Sequence, residues 1–333
     1  MNNENITIRK ALQMYIDTVG LARSKRTAET YRFALQAFAA LLADNKIDVE
    51  TAAIGDLPDD AIGWFAAWLK QHSPATEQLY LQAAMGFYQF LAAEQIGSPN
   101  IERLRQLVKM RSRKTGQRLP QFPREAIEQI LAAVQELPPS PTGDASPNDA
   151  EHLRSLRDRA FLLTLADTGL RVHEACGLRR GDIDWNEGRA VIIGKGDKQA
   201  VIRFSTRCMN ALKDYLQARA GLDGAAGRPL QSLPLFARHD KGAGSKVKGM
   251  TTATGRNIVD ESVRRVLGAE AEGNITPHSF RHYFVTTVLR ASGNLKLAQE
   301  LARHANIAVT QRYAHISDDE LDKGYHQIFE KPA

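Results

Sequence analysis

The sequence is poor in everything that would staple a chain covalently or seat it in a membrane. Only two cysteines occur in 333 residues, Cys176 and Cys208, and two isolated thiols make neither a disulfide framework nor a Cys-x-x-Cys metal pair. The longest apolar run, residues 61–69, falls far short of the roughly 20 residues that span a bilayer. The amino terminus, MNNENITIRK, has no apolar segment behind its basic residues, so no secretory signal and a cytoplasmic location are expected. Several chemical signatures are missing too. GAGSK at 242–246 lacks the spacing of a phosphate-binding P-loop, and there is no Gly-x-Ser-x-Gly elbow and no acidic cluster for two-metal hydrolysis. His278 and His282 have the i,i+4 spacing of a zinc helix, but Ser279 stands where a metalloprotease needs Glu, so no metal and no cofactor are expected.

What is present is an ordinary globular composition, 43% hydrophobic and 25% charged, which excludes disorder and fibrous repeats and leaves room for about two domains. The 44 basic against 38 acidic residues give a net charge of +6, which suits a polyanionic partner. Distribution says more than the total. Arg103, Arg105, Lys109, Arg111, Arg113, Lys114 and Arg118 follow one another with no acid after Glu102. Such a run fits a basic interdomain linker, with a solvated linker or helix face as the alternative.

Before that run the chain reads as consecutive amphipathic helices. Ile8, Leu12, Tyr15, Ile16 and Val19 share one face; Tyr31, Leu35, Phe38 and Leu42 follow; then Ile62, Phe65 and Leu69. Ser73-Pro74 reads as an N-cap and N1 pair opening a helix with Leu81, Met85, Tyr88 and Leu91 in register. Trp64, Trp68, Phe87 and Phe90 are expected in the core rather than as base-stacking platforms. After the run, helices are predicted near 124–136 and 153–168, separated by a Pro/Ser/Asp-rich loop. Arg189–Gly194 and Gln199–Phe204 read as a β-hairpin turning at Lys195-Gly196-Asp197-Lys198. A helix at 206–218, a mobile glycine-rich loop at 238–256 and helices through Phe329 complete the expectation.

Four short segments concentrate groups suited to phosphate chemistry: Arg171 with Glu174, Lys195 at the hairpin tip, His278 with Arg281, and His304 followed nine residues later by Tyr313. Each alone is weak, since Arg171 and Glu174 could be a surface i,i+3 pair and Lys195 an ordinary turn lysine. His278 and Arg281, three apart on a helix entered through Pro277, can face one anion, with a bidentate fork from Arg and a titratable proton from His.

Taken in order, TGLRVHEACGL, GKGDK, TPHSFRHYFVT and TQRYAHI resemble the tyrosine recombinase (phage integrase) family, and the amino-terminal helices resemble its core-binding domain. One departure stands out: where the family usually has Leu-Gly-His, this chain has Ala302-Arg303-His304. The resemblance implies a mainly α fold with a small β-hairpin or sheet, arranged as a two-domain clamp. Residues 1–108 would be a helical core-binding (SAM-like) DNA-binding domain, 109–122 the basic linker, and 123–333 an α+β catalytic tyrosine recombinase domain.

It also implies site-specific recombination without cofactor, through a 3′-phosphotyrosyl intermediate and a Holliday junction. Tyr313 would attack the scissile phosphate, Arg171 and Arg281 clamp its oxygens with His304 as a further donor, Lys195 protonate the leaving 5′-oxygen, and His278 act as acid/base toward Tyr313. Glu174 would orient Arg171 or His278. The partners implied are double-stranded recombination sites, a tetramer on DNA (monomer or dimer when free) in which the segment Asp318–Phe329 docks on a neighbour or, alternatively, packs on its own domain, and an accessory protein or partner recombinase. A topoisomerase-like nicking-closing enzyme using the same residues and a non-catalytic DNA-binding accessory protein are the alternatives.

Overall fold

The computed structural model describes residues 6–113, 123–136, 150–193, 199–240, 242, 246–304 and 306–311, the last span without the side chain of Ala308. The chain forms two compact units, Met1–Arg118 and Leu119–Ala333.

The first unit is helical: α1 (Ile8–Ala22), α2 (Lys25–Asp44), α3 (Ala61–Trp68), α4 (Pro74–Ala93) and α5 (Ile101–Arg111). Side chains that suppress fraying start each long helix. Ser24 accepts from the Thr27 N–H at 3.3 Å, and Ser73, ahead of Pro74, accepts from the Thr76 N–H at 3.1 Å. The predicted faces are the buried ones, with Leu12, Leu35, Phe38, Leu42, Ile62, Phe65, Leu81, Phe87 and Tyr88 at most 2% exposed. Phe38 and Phe65 pack at 5.1 Å between ring centroids. Trp64 and Trp68 are only partly buried and lie over this core's margin; the predicted core position holds in full for Phe87 and Phe90.

Part of the basic run belongs to this unit. α5 continues to Arg111, and the residues after it are anchored by Glu77, a fully buried carboxylate on α4. Glu77 accepts from Lys70 Nζ at 2.7 Å, from the Arg113 N–H at 2.8 Å and from Arg113 Nε at 2.5 Å. Burial alone would raise its pKa; these donors outweigh burial and hold it at about 2.

The second unit opens with α6 (Arg124–Gln135) and α7 (Ala150–Thr168). The second half of α7, from Ala160 through Phe161, Leu162, Leu163 and Leu165, is buried nearly all round and runs through the core. α8 (Val172–Gly177) leads into an antiparallel sheet of β1 (Ile183–Asp184), β2 (Arg189–Ile193) and β3 (Gln199–Arg203), in that order. The register pairs Arg189 with Arg203 and Ile193 with Gln199. Alternation puts Ala190, Ile192 and Ile202 inward and leaves Val191, Ile193 and Val201 exposed. β1 was not expected, because two residues carry no readable period. α9 (Thr206–Ala218) and the short α10 (Ala220–Gly224) follow, then α11 (Thr252–Leu267), α12 (Pro277–Ser292), α13 (Leu295–Ala302) and α14 (Ile307–Gln311).

The loop expected at 238–256 is shorter and better tied than its composition suggests. The Arg238 N–H donates to the Lys248 carbonyl at 2.9 Å and the Met250 N–H to the Phe236 carbonyl at 3.1 Å. Thr251 then caps α11, accepting from the Thr254 N–H at 3.1 Å, so residues 252–256 are helical. The Thr-rich stretch read as loop is an N-cap followed by a first turn.

Candidate active site

Five of the residues singled out from the sequence come together around one turn of the second unit. α7 ends at Thr168, whose hydroxyl donates to the Thr164 carbonyl at 2.6 Å and accepts from the Leu170 N–H at 3.2 Å. Gly169 then adopts φ +60°, and a Cβ there would lie 2.4 Å from the Phe284 ring; only glycine satisfies both conditions. The chain reverses into Arg171, which is extended and caps α8. Glu174, in the first turn of α8, accepts from the Arg171 N–H at 2.8 Å and from Arg171 Nη1 at 3.0 Å. Arg171's side chain stays half exposed, while that of Glu174 is 6% exposed. Burial pushes the Glu174 carboxyl up, but the Arg171 N–H and the charges of Arg303 and Arg171 hold it below the ordinary carboxylate range.

α12 brings the second arginine. Pro277 occupies its first turn and Ser279 Oγ accepts from the Thr276 N–H at 3.1 Å. Arg281, one turn in and 3% exposed, donates from Nη1 to the Gly169 carbonyl at 2.5 Å and from Nη2 to the Ala302 carbonyl. One guanidinium thus joins the end of α7 to the end of α13. His278 is exposed on the first turn of α12, with its ring edge-on to His282 at 4.3 Å and 74°.

α13 stops in a Schellman turn: the His304 N–H donates to the Gln299 carbonyl at 3.1 Å and the Arg303 N–H to the Glu300 carbonyl at 3.0 Å. The left-handed position of that turn, φ 58° and ψ 44°, is Arg303, at the point where the sequence departs from the family's Leu-Gly-His. Arg303 Nη2 donates to Glu174 Oε2 at 3.1 Å and reaches the Gly169 carbonyl at 3.5 Å. His304 Nδ1 lies 2.8 Å from Thr310 Oγ1. A Thr310 hydroxyl donating to Nδ1 places the ring proton on Nε2 and makes that nitrogen a donor.

Two guanidiniums, Arg171 and Arg303, therefore share the Glu174 carboxylate while a third, Arg281, is held by carbonyls beside them, and the imidazoles register the excess of positive charge. Burial first, then Arg281 and Arg171, depresses the His304 pKa to about 4. Burial, His278 and Arg281 depress His282 to about 4. Partial desolvation and the same two arginines lower His278. Neutral imidazoles among fixed cations form a cradle short of negative charge, the arrangement expected of an anion site. Among the described residues no group of three or more His, Cys, Asp or Glu is placed to hold a metal ion.

The profile described as the Phage integrase family matches residues 122–320. The chain belongs to that family, the tyrosine recombinases. The matched span of this integrase-family chain includes every segment assembled at the turn. A tyrosine recombinase XerC of Anoxybacillus flavithermus is 32% identical over 72% of this chain and 71% of its own length. A XerC of Treponema denticola is 27% identical over 91% of this chain and 92% of its own. In fold, the chain is similar to the XerH site-specific recombinase bound to palindromic difH substrate, with a TM-score of 0.67 and 21% identity over 91% of this chain and 80% of that one. It is also similar to a lambda integrase dimer bound to a COC′ core site, with a TM-score of 0.62 and 16% identity over 93% and 78%.

Of the candidates named from the sequence, Arg171, Glu174, His278, Arg281 and His304 are thus gathered at one place. Lys195, Tyr313, Lys114, Arg118 and the segment Asp318–Phe329 lie outside the described residues. The other basic candidates sit in the first unit with varied surroundings. Arg103 pairs with Asp60 at 2.8 Å, Arg105 with Glu102 at 3.5 Å, and Arg113 with buried Glu77. Lys109 and Arg111 are exposed. Two residues of the cluster were not singled out for this role: His282, considered only as a metal ligand, and Arg303, whose signal was its departure from the family's glycine.

Proposed function

We propose that this chain cuts and rejoins duplex DNA site-specifically, with Tyr313 as nucleophile. The observation that carries the reading is the gathering of Arg171, Arg281 and the His278 and His304 imidazoles around the Gly169 turn, in a chain whose named relatives are recombinases and integrases. Transesterification at a phosphodiester needs a nucleophile, charge stabilisation on the phosphorane and a proton for the departing oxygen. Arg171 and Arg281 clamp the non-bridging oxygens, and His304 adds a neutral donor; preorganised donors of this kind are each worth about 10²–10³ in rate. His278, neutral at physiological pH, can take the Tyr313 proton, since a phenol with a pKa near 10 does not ionise unaided. Lys195 delivers a proton to the 5′-oxygen. The covalent 3′-phosphotyrosyl bond conserves the energy of the phosphodiester, so rejoining needs no nucleotide cofactor.

The first unit, with α5 and Arg113 included rather than ending at residue 108, forms the core-binding domain, and residues 123–333 form the catalytic one. Exposed Lys109 and Arg111, with Lys114 and Arg118, contact phosphates between them, which gives affinity without sequence information and a steep salt dependence. Four copies act on two sites, with Asp318–Phe329 reaching a neighbour, in the cytoplasm where the DNA resides.

The test is exchange between two plasmids that carry the recognised site, run in EDTA. Recombinant products are expected, because arginines rather than a metal neutralise the phosphate. Relaxation without exchange would favour a nicking-closing enzyme, and a strict magnesium requirement for cleavage would count against the assignment.

A further inference from the structure

We propose that Arg303 is a positioning residue of the catalytic site, tying the turn that carries His304 to the Glu174–Arg171 pair. The inference deepens the enzymatic reading above and rests on it.

Arg303 occupies a backbone conformation that L-residues avoid. At φ 58° and ψ 44° a side chain costs about 1–2 kcal/mol that glycine would not incur. Nothing in the turn itself requires arginine, because its two closing hydrogen bonds use main-chain N–H groups only. The side chain, 12% exposed, is spent instead on a contact far along the chain: Nη2 meets Glu174 Oε2 at 3.1 Å. Glu174 thereby bridges two guanidiniums, since it also holds the main chain and Nη1 of Arg171. The next residue after Arg303 is His304. A shift of the α13 terminus relative to α8 would move His304 away from Arg171, and the Arg303–Glu174 contact opposes that shift directly.

Two further observations argue that the group is there for charge and geometry rather than packing. Among the described residues, Nε and Nη1 of Arg303 are buried without a hydrogen-bond partner, an arrangement that costs stability and gives nothing back to the fold. The charge is also placed where other cations oppose it: burial and the Arg171 charge lower the Arg303 pKa against the favourable pull of Glu174. A residue selected only to fill space or end a helix would be glycine or an apolar side chain here.

The test compares wild type with Arg303→Gly and Arg303→Lys for the rate of covalent capture on a saturating nicked duplex carrying the recognised site. Arg303→Gly relieves the left-handed backbone, so the melting temperature should hold. DNA affinity, measured with Tyr313→Phe added, should change by less than about twofold. Capture at saturation should nevertheless slow by about tenfold to a hundredfold, the usual effect of displacing a catalytic group by a fraction of an ångström to one ångström. The acid limb of the pH–rate profile should move to higher pH, since Glu174 loses one of the cations holding it ionised. Arg303→Lys should recover part of the rate. Wild-type capture speed in Arg303→Gly with an unmoved acid limb would overturn the proposal. So would parallel losses of melting temperature and affinity that Lys does not mend, which would mark a structural arginine. Absence of capture by wild type would strike the enzymatic reading instead; the tie would then be read from a double-mutant stability cycle between Arg303→Met and Glu174→Gln, where additivity would refute it.

Discussion

DNA should bind more tightly as the pH falls, because His304 is held neutral by burial and by the same cations a phosphate would neutralise. In the free protein the imidazole titrates at about 4, depressed by burial, Arg281 and Arg171. A phosphodiester seated on those arginines cancels their charge, and the imidazole returns toward its ordinary value of about 6.5. The sign follows from proton uptake: a group with a higher pKa in the complex than in the free protein makes binding stronger at lower pH. Burial, the largest cause, persists in the complex, so a full return sets the upper bound: the association constant changes by a factor of about 1.1 at pH 7.5 and about 11 at pH 5.5, and binding tightens by at most about tenfold over that interval. His282, depressed to about 4 by burial, His278 and Arg281, adds to the slope to the extent that it feels the same phosphate. The assay is fluorescence anisotropy at constant ionic strength with Tyr313→Phe, which binds without cutting, and with Tyr313→Phe/His304→Gln. The double variant should lose most of that change. A flat profile, or a slope that His304→Gln leaves intact, would refute the reasoning.

Three other outcomes follow from the structure. Glu77→Gln should destabilise the first unit by about 3 kcal/mol in denaturant unfolding, because it leaves Lys70 and Arg113 facing a neutral amide. Since Glu77 is held at about 2, its contribution is present above the ordinary carboxylate pKa and is lost as pH falls through about 2; the variant should lack that acid-side loss. Gly169→Ala should cost about 1–3 kcal/mol from left-handed backbone and contact with the Phe284 ring, and should slow capture further by displacing the carbonyl that holds Arg281; Phe284→Ala should restore stability in part. Arg281→Lys should slow capture by about 10²–10³ while shifting the salt dependence of DNA binding by about one unit of slope or less.

The helical architecture was legible because it rests on period and punctuation. Ser73-Pro74 announced α4, and the faces headed by Leu12, Leu35 and Leu81 are the buried ones. The hairpin was legible from β-branched alternation around a glycine turn, and its register pairs the expected strands. The Thr251–Arg256 stretch was misread because Ser and Thr serve turns and N-caps equally well, and composition does not tell them apart. At the site, the residues gathered around the Gly169 turn could be named from the resemblance of their motifs to the family. What holds them could not. Arg281 binds carbonyls 112 and 21 positions away, and Arg303 finds Glu174 across 129 positions. Contacts of that range leave no local pattern, and the only trace of Arg303's position was a missing glycine.

The claim that Tyr313 becomes covalently joined to DNA is tested most directly by mapping the adduct. Protein incubated in EDTA with fragmented DNA from its source is denatured, digested with nuclease and protease, and the nucleotide-bearing peptide sequenced by mass spectrometry. A 3′-nucleotide on the peptide containing Tyr313, absent from Tyr313→Phe, is expected; an adduct on another residue, or one that persists in Tyr313→Phe, would contradict the mechanism.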